Sequence, residues 1–201
     1  LLTPGLASVV AVNLLIGCVF GAIDLSVVAS TTEWGVRASA GTVLAVFSFA
    51  SGVAGFVYGA RTWHSPVRQR FLIGVVAMFL STLGLLLAGS PLVLAGVGIL
   101  IGATIAPTLI NGNTLVGRLV PRERLTEGLS WMGTGLGIGV AIGSSIAGPV
   151  IDARGYAAGF AVVVVLGGGA ALIAMVGRAG LGRADAAAQV STTDDRDEIF
   201  D

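Results

Sequence analysis

Apolar residues in this chain do not alternate with polar ones. They come in six long blocks, at about residues 6–30, 38–60, 71–89, 92–117, 128–151 and 156–177. Each block is long enough to cross a bilayer as a helix, which takes roughly 20 residues. The connections between them are short. The pattern predicts an all-α membrane protein: a bundle of six transmembrane helices over residues 1–178. From residue 179 to 201 the composition changes, and the stretch STTDDRDE is acidic and polar. Residues 179–201 are therefore expected to form a disordered cytoplasmic tail, having too little apolar surface to pack.

The fifth block carries the clearest packing signal. Residues 129–151 hold no charge, and Gly135, Gly139 and Gly143 recur every four positions. Four-residue spacing puts them on one side of a helix. In water each glycine would cost about 1 kcal/mol against alanine. In a membrane a stripe of small residues lets a neighbouring helix approach closely, and packing supplies the association that hydrophobicity cannot. A close-packed helix follows.

The blocks also repeat. Residues 51–61, SGVAGFVYGAR, match residues 144–154, SSIAGPVIDAR, at a constant offset, with Ser, Ala, Gly, Val, Ala and Arg identical. Three spans separate the two copies, so they run in opposite directions through the membrane. The expected architecture is two inverted three-helix repeats, an arrangement found in many transporters.

Composition agrees with the pattern. The chain is 55% hydrophobic and 11% charged, with mean hydropathy +0.95. Soluble domains carry about 25% charged residues, so a soluble protein of this composition could not cover its surface. Net charge is zero, from 11 basic and 11 acidic residues, and every basic residue is Arg. With 31 Gly this points to a GC-rich genome. The arginines are segregated. Arg61, Arg68 and Arg70 lie in the loop after span two, Arg118, Arg122 and Arg124 in the loop after span four, and Arg178, Arg183 and Arg196 follow span six. The opposite loops hold only Arg37 and Arg154. Nine against two is a positive-inside bias, which predicts a multi-pass protein of the cytoplasmic (inner) membrane with both termini cytoplasmic. Trp34, Tyr58, Trp63, Trp131 and Tyr156 fall near span ends, where aromatic belts sit. The one cysteine, Cys18, allows no intrachain disulfide. Residue 1 is Leu and the first Met is Met78, so a piece of a longer translation product is expected. No charged n-region and cleavage site mark the first block as a signal peptide.

Few residues in the spans can carry chemistry. Asp24 is the only acid inside a membrane block. A carboxylate at a helix centre costs about 2.5–3.5 kcal/mol on insertion scales, which suits a group that exchanges a proton or holds a cation. The alternative is a hydrated acid near the outer interface. Asn13, eleven residues earlier, falls within roughly 20° of the same helix face at 100° per residue, so the two could border a cavity together with Gly17 and Gly21. Asn13 could equally belong to a helix-packing stripe. In span four, Thr104, Thr108 and Asn111 stand at i, i+4 and i+7. Pro107 among them removes a backbone donor and frees a carbonyl one turn back, as in interrupted helices beside transport sites. A simple kink with threonines bonded to their own backbone is the competing reading. Asn113 points to the other side. His64 is a lone loop histidine. There is no phosphate-binding G-x-x-x-x-G-K-[ST] loop, so ATP-driven transport has no support. The Ser144–Ser145 pair has no intramembrane base to activate it. No enzymatic activity, cofactor, metal or nucleic-acid partner is expected. The expected partners are the lipid bilayer and a small-molecule substrate.

Three segments together resemble the Major Facilitator Superfamily. Residues 59–70, GARTWHSPVRQR, are similar to the family's glycine-then-basic cytoplasmic loop, carried here by Gly59, Arg61, Arg68 and Arg70. The acid usual in that motif is absent, with Trp63 near its place. Residues 119–122, LVPR, lead through Gly128 into the glycine-rich fifth span, and GPVID at 148–152 is followed by Gly155 and Phe160. The resemblance covers about residues 6–177 and implies the C-terminal six-helix half of a secondary active transporter, similar to efflux permeases of actinobacterial type. It implies a missing N-terminal six-helix half outside this chain, alternating access between the halves, and proton-coupled efflux. The other reading is a non-transporting membrane assembly module, or the relic of a split or truncated transporter.

Overall fold

Turn residues cut this apolar chain into helices. The computed structural model describes the backbone of residues 4–197 and the side chains of residues 5–178. Helix α1 spans Pro4–Glu33, α2 Ser39–Gly59, α3 Val67–Leu83, α4 Pro91–Leu119, α5 Leu125–Arg154 and α6 Tyr156–Asp197. Short 3-10 turns follow α3 at Gly84–Leu87 and precede α5 at Arg122–Arg124. Pro66 stands immediately before α3, where its fixed φ of −57° starts the helix. Pro91 opens α4 after Ser90, whose hydroxyl accepts from the Val93 N–H at 3.4 Å. A single residue, Gly155, turns the chain from α5 into α6 with φ +76° and ψ 176°, a region open essentially to glycine alone. Among the described residues the protein is all helix, and six helices are long and apolar enough to cross a membrane.

Two boundaries differ from the sequence expectation. Helix α3 begins at Val67, not near 71, so Arg68 and Arg70 lie in its first turn. Arginine can keep its stem along an apolar helix while its head reaches the interface, so charge alone did not end the span. Helix α6 runs on to Asp197, through residues expected to be a disordered tail. The alanines at 186–188 are good helix formers. Side chains from 179 onward, and residues 198–201 entirely, lie outside the described residues.

Helix α1 is the most buried of the six and α2 the least. Helix α1 packs mainly on α5 and α6, α4 packs mainly on α2 and α3, and α3 meets α6. Exchange of α1–α3 with α4–α6 leaves that pattern unchanged. One continuous core joins all the helices, with Val12, Ile16, Met78, Ile101, Leu115, Met132 and Phe160 among its buried members.

The equivalence extends to single contacts. A Cβ placed on Gly21 of α1 would run into the Val140 carbonyl and Ser144 Oγ of α5. A Cβ on Gly102 of α4 would run into the Phe47 carbonyl and the Ser51 nitrogen of α2. Residues 51 and 144 open the matched segments of the sequence repeat, and 47 and 140 stand one turn before them at the same offset. Likewise a Cβ on Gly148 would stand 3.9 Å from Leu25, and one on Gly55 3.0 Å from Ala106. One pair of offsets relates both sets, so the two helix triplets use the same contacts.

The glycine stripe of α5 is buried throughout. At Gly139 a Cβ would meet the Leu14 carbonyl, and at Gly143 the Cys18 carbonyl. Gly135 is less tight, with Val10 at 3.6 Å. Gly17 and Gly21 answer from α1, and the Ser144 hydroxyl donates to the Gly21 carbonyl at 3.3 Å. Backbone thus meets backbone along the α1–α5 seam.

Candidate functional site

Helix α1 is enclosed almost along its length. From Gly5 to Thr31 every residue is buried or half-buried except Ala7, Asp24 and Leu25. The bundle therefore closes around α1 and leaves the carboxylate of Asp24 on an open surface. No hydrogen bond or ion pair engages it among the described residues.

Asn13 has a different environment, although helical geometry puts it on nearly the same face. It is only 4% exposed, and its amide donates to the Met132 carbonyl of α5 at 2.5 Å. Its Oδ1 is buried without a partner. Asn13 thus belongs to the α1–α5 seam, and the structure does not bring it together with Asp24 at one surface.

The polar face of α4 turns into the bundle. Thr108 and Asn111 are buried and Thr104 is half-buried. Thr104 Oγ1 donates to the Ile101 carbonyl at 2.7 Å, and Thr108 Oγ1 to the Thr104 carbonyl at 2.6 Å. Thr108 also presses on Gly74 of α3, where a Cβ would come 2.5 Å from its hydroxyl. The threonine hydroxyls therefore serve their own helix. Pro107 sits between them, half-buried, with a carbonyl that accepts from the Asn111 amide at 2.7 Å. Asn113, two residues beyond Asn111 and on the other side of the helix, is exposed.

Asn111 reaches a residue that the sequence left unpaired. The Tyr58 hydroxyl of α2 accepts from Asn111 Nδ2 at 2.8 Å and lies 3.0 Å from Oδ1, to which it can donate. Arg70 Nη1 donates to the same hydroxyl at 3.3 Å. Trp63 stacks on Tyr58 with ring centroids 4.5 Å apart, and its Nε1 donates to the Tyr58 carbonyl at 3.0 Å. The glycine-then-basic loop is thus built around two aromatic rings. Gly59 is exposed with open space about it, Arg61 lies over Trp63, and Arg68 is half-buried. The signal for this cluster was the pairing of Tyr58 and Trp63 about two arginines at a span end.

An open apolar groove of about 690 Å³ runs between α2 and α4, lined by Thr42, Phe49, Val53, Val57, Ile99 and Ala103 among others. Neither Thr104, Thr108, Asn111 nor Asp24 lines it. Among the described residues no cluster of His, Cys, Asp or Glu could hold a metal ion.

The glycine seams join one helix triplet to the other, α1 to α5 and α4 to α2, so the six helices interlock into one bundle with Asp24 exposed on its surface. No curated protein matches the chain. The sequence profile of the Major Facilitator Superfamily matches residues 6–193, nearly the whole chain, and the protein belongs to that family of membrane transporters, which is made up of secondary transporters and not of enzymes.

Proposed function

We propose that this chain is the C-terminal six-helix half of a proton-coupled exporter of a small molecule. It works by alternating access against a second, N-terminal six-helix bundle in the cytoplasmic membrane, with both ends of this half on the cytoplasmic side. Asp24 is the coupling group. One observation carries this reading: α1 is sealed by its neighbours nearly everywhere, yet the acid in its membrane run is exposed. Acids in membrane spans are rare and face a bundle interior or a water-filled cavity. Apposed to the second bundle, the open surface of α1 would become the wall of such a cavity. Pro107 frees the Ala103 carbonyl one turn back, and this carbonyl and the exposed Asn113 amide of α4 face the substrate path. Thr104, Thr108 and Asn111 keep the helix around that interruption in shape.

The test uses the full-length protein in proteoliposomes. Asp24→Asn keeps the shape and hydrogen-bonding capacity and removes titration. The variant should fold, lose proton-driven accumulation or efflux, and retain exchange of substrate down its own gradient. Unchanged proton-driven transport in Asp24→Asn would refute the assignment and move coupling to the other half.

A further inference from the structure

The stacked pair Tyr58–Trp63 gathers two cations that have no anion to answer them. The guanidinium carbon of Arg61 lies 5.2 Å from the Trp63 ring centroid and that of Arg70 5.6 Å from it. Arg70 also lies 5.9 Å from the Tyr58 ring. Both distances to the indole fall within cation–π range, which is about 6 Å. Two like charges held at one ring repel each other, and among the described residues neither meets a carboxylate. Arg70 spends one of its five side-chain N–H donors on Tyr58, and its Nε is buried without a partner. Glu123, in the connection before α5, and Glu127, in the first turn of α5, form no ion pair with either residue.

We propose that Arg61 and Arg70, mounted on the Trp63–Tyr58 stack, bind the phosphate of an anionic phospholipid. The site lies at the end of α2 and the first turn of α3, at the membrane edge where tryptophan and tyrosine favour the headgroup level. Guanidinium groups recognise phosphate oxygens through paired, charge-assisted hydrogen bonds. Basic pockets between transmembrane helices on the cytoplasmic side are suited to anionic headgroups, and the arginine bias described above puts this edge on that side. Exposed Phe56 and Val57 on the adjoining turn of α2 offer apolar surface for the start of an acyl chain. Through the Arg70–Tyr58–Asn111 hydrogen bonds, the headgroup would be linked directly to the polar face of α4.

The full-length protein in detergent tests this by native mass spectrometry and by melting, with phosphatidylglycerol, phosphatidylcholine and inorganic phosphate as separate probes. Phosphatidylglycerol should bind on the order of tenfold more tightly than phosphatidylcholine, as expected for two arginines near a lipid phosphate. The preference should fall towards unity in Arg61→Gln/Arg70→Gln and survive in the charge-matched control Arg122→Gln/Arg124→Gln. Equal loss in the control would reduce the preference to diffuse surface charge and overturn the site. Equal stabilisation by inorganic phosphate would assign it to a free anion. Equal binding of the two lipids by the parent protein would overturn the proposal outright, and would mean that the arginines are neutralised by a carboxylate of the protein. That last comparison needs no variant, so a misfolded double mutant leaves the test intact.

Discussion

Gly21 of α1 and Gly102 of α4 hold the same place in the two helix triplets: each lets a neighbouring backbone carbonyl, of Val140 and of Phe47 respectively, occupy the position of its missing Cβ. Helix approach in both triplets thus depends on one atom's absence. Gly21→Val and Gly102→Val should each destabilise the bundle by about 1–3 kcal/mol or more, since the clash is with backbone and not with a movable side chain. Gly133→Val, on an open face of α5, is the matched control and should change little. Melting of the three variants in one detergent checks this. A large loss at Gly21 alone would break the equivalence.

The α5 stripe can be tested separately. Gly139 faces the Leu14 carbonyl and the Cys18 nitrogen, so Gly139→Leu should prevent α1 from seating and yield a protein that inserts but melts early or aggregates. Normal melting of this variant would mean that the stripe faces lipid.

Gly155 is constrained by conformation more than by space. Its φ of +76° with ψ 176° ends α5 and aims α6 back into the bundle, a combination that costs other residues on the order of 1–3 kcal/mol. Gly155→Ala should lower stability by that amount. Gly137→Ala, in mid-helix with open space around it, should be neutral or raise stability by up to about 1 kcal/mol. Opposite effects of the two Gly→Ala changes, one within α5 and one just past its end, would separate backbone conformation from side-chain contact.

The Tyr58–Asn111 pair spans the α2–α4 seam. Tyr58→Phe leaves the buried Asn111 amide with its Pro107 partner but without the hydroxyl. A double-mutant cycle with Asn111→Leu should show a coupling of about 0.6 kcal/mol, the average for interhelical hydrogen bonds in membranes, and no more than about 1.7 kcal/mol. Additive single effects would show that the two side chains only touch.

The arginine bias predicts the orientation. Reporter fusions after Arg70 and Arg124 should read as cytoplasmic, and fusions near Glu33 and Arg154 as external. Reversed signals would invert the topology and remove the basis for the anionic-lipid site.

Much of the fold was legible in the chain because membrane insertion is decided locally. A run of about 20 apolar residues specifies a crossing helix whatever its neighbours do, so all six spans could be read one at a time. The matched residues 51–61 and 144–154 likewise revealed the repeat, since equivalent packing demands small residues at equivalent places. The stripe at Gly135, Gly139 and Gly143 was legible for the same reason. The start of α3 was misplaced because arginine does not end a helix whose stem can lie along lipid.

What the sequence determined by itself was the class of protein, its six spans and their twofold internal likeness. The tertiary structure decided which polar side chains packing consumes and which it leaves open. Helical periodicity puts Asn13 and Asp24 on one face, but it refers only to the axis of α1. Where α5 lies along that face depends on backbone contacts between Gly17, Gly21, Gly139 and Gly143, which only the assembled bundle contains. Those contacts bury Asn13 against Met132, while α4 closes Asn111 onto Tyr58. Asp24 stays open because no helix of this bundle packs over it, a fact that residue spacing along one helix cannot encode.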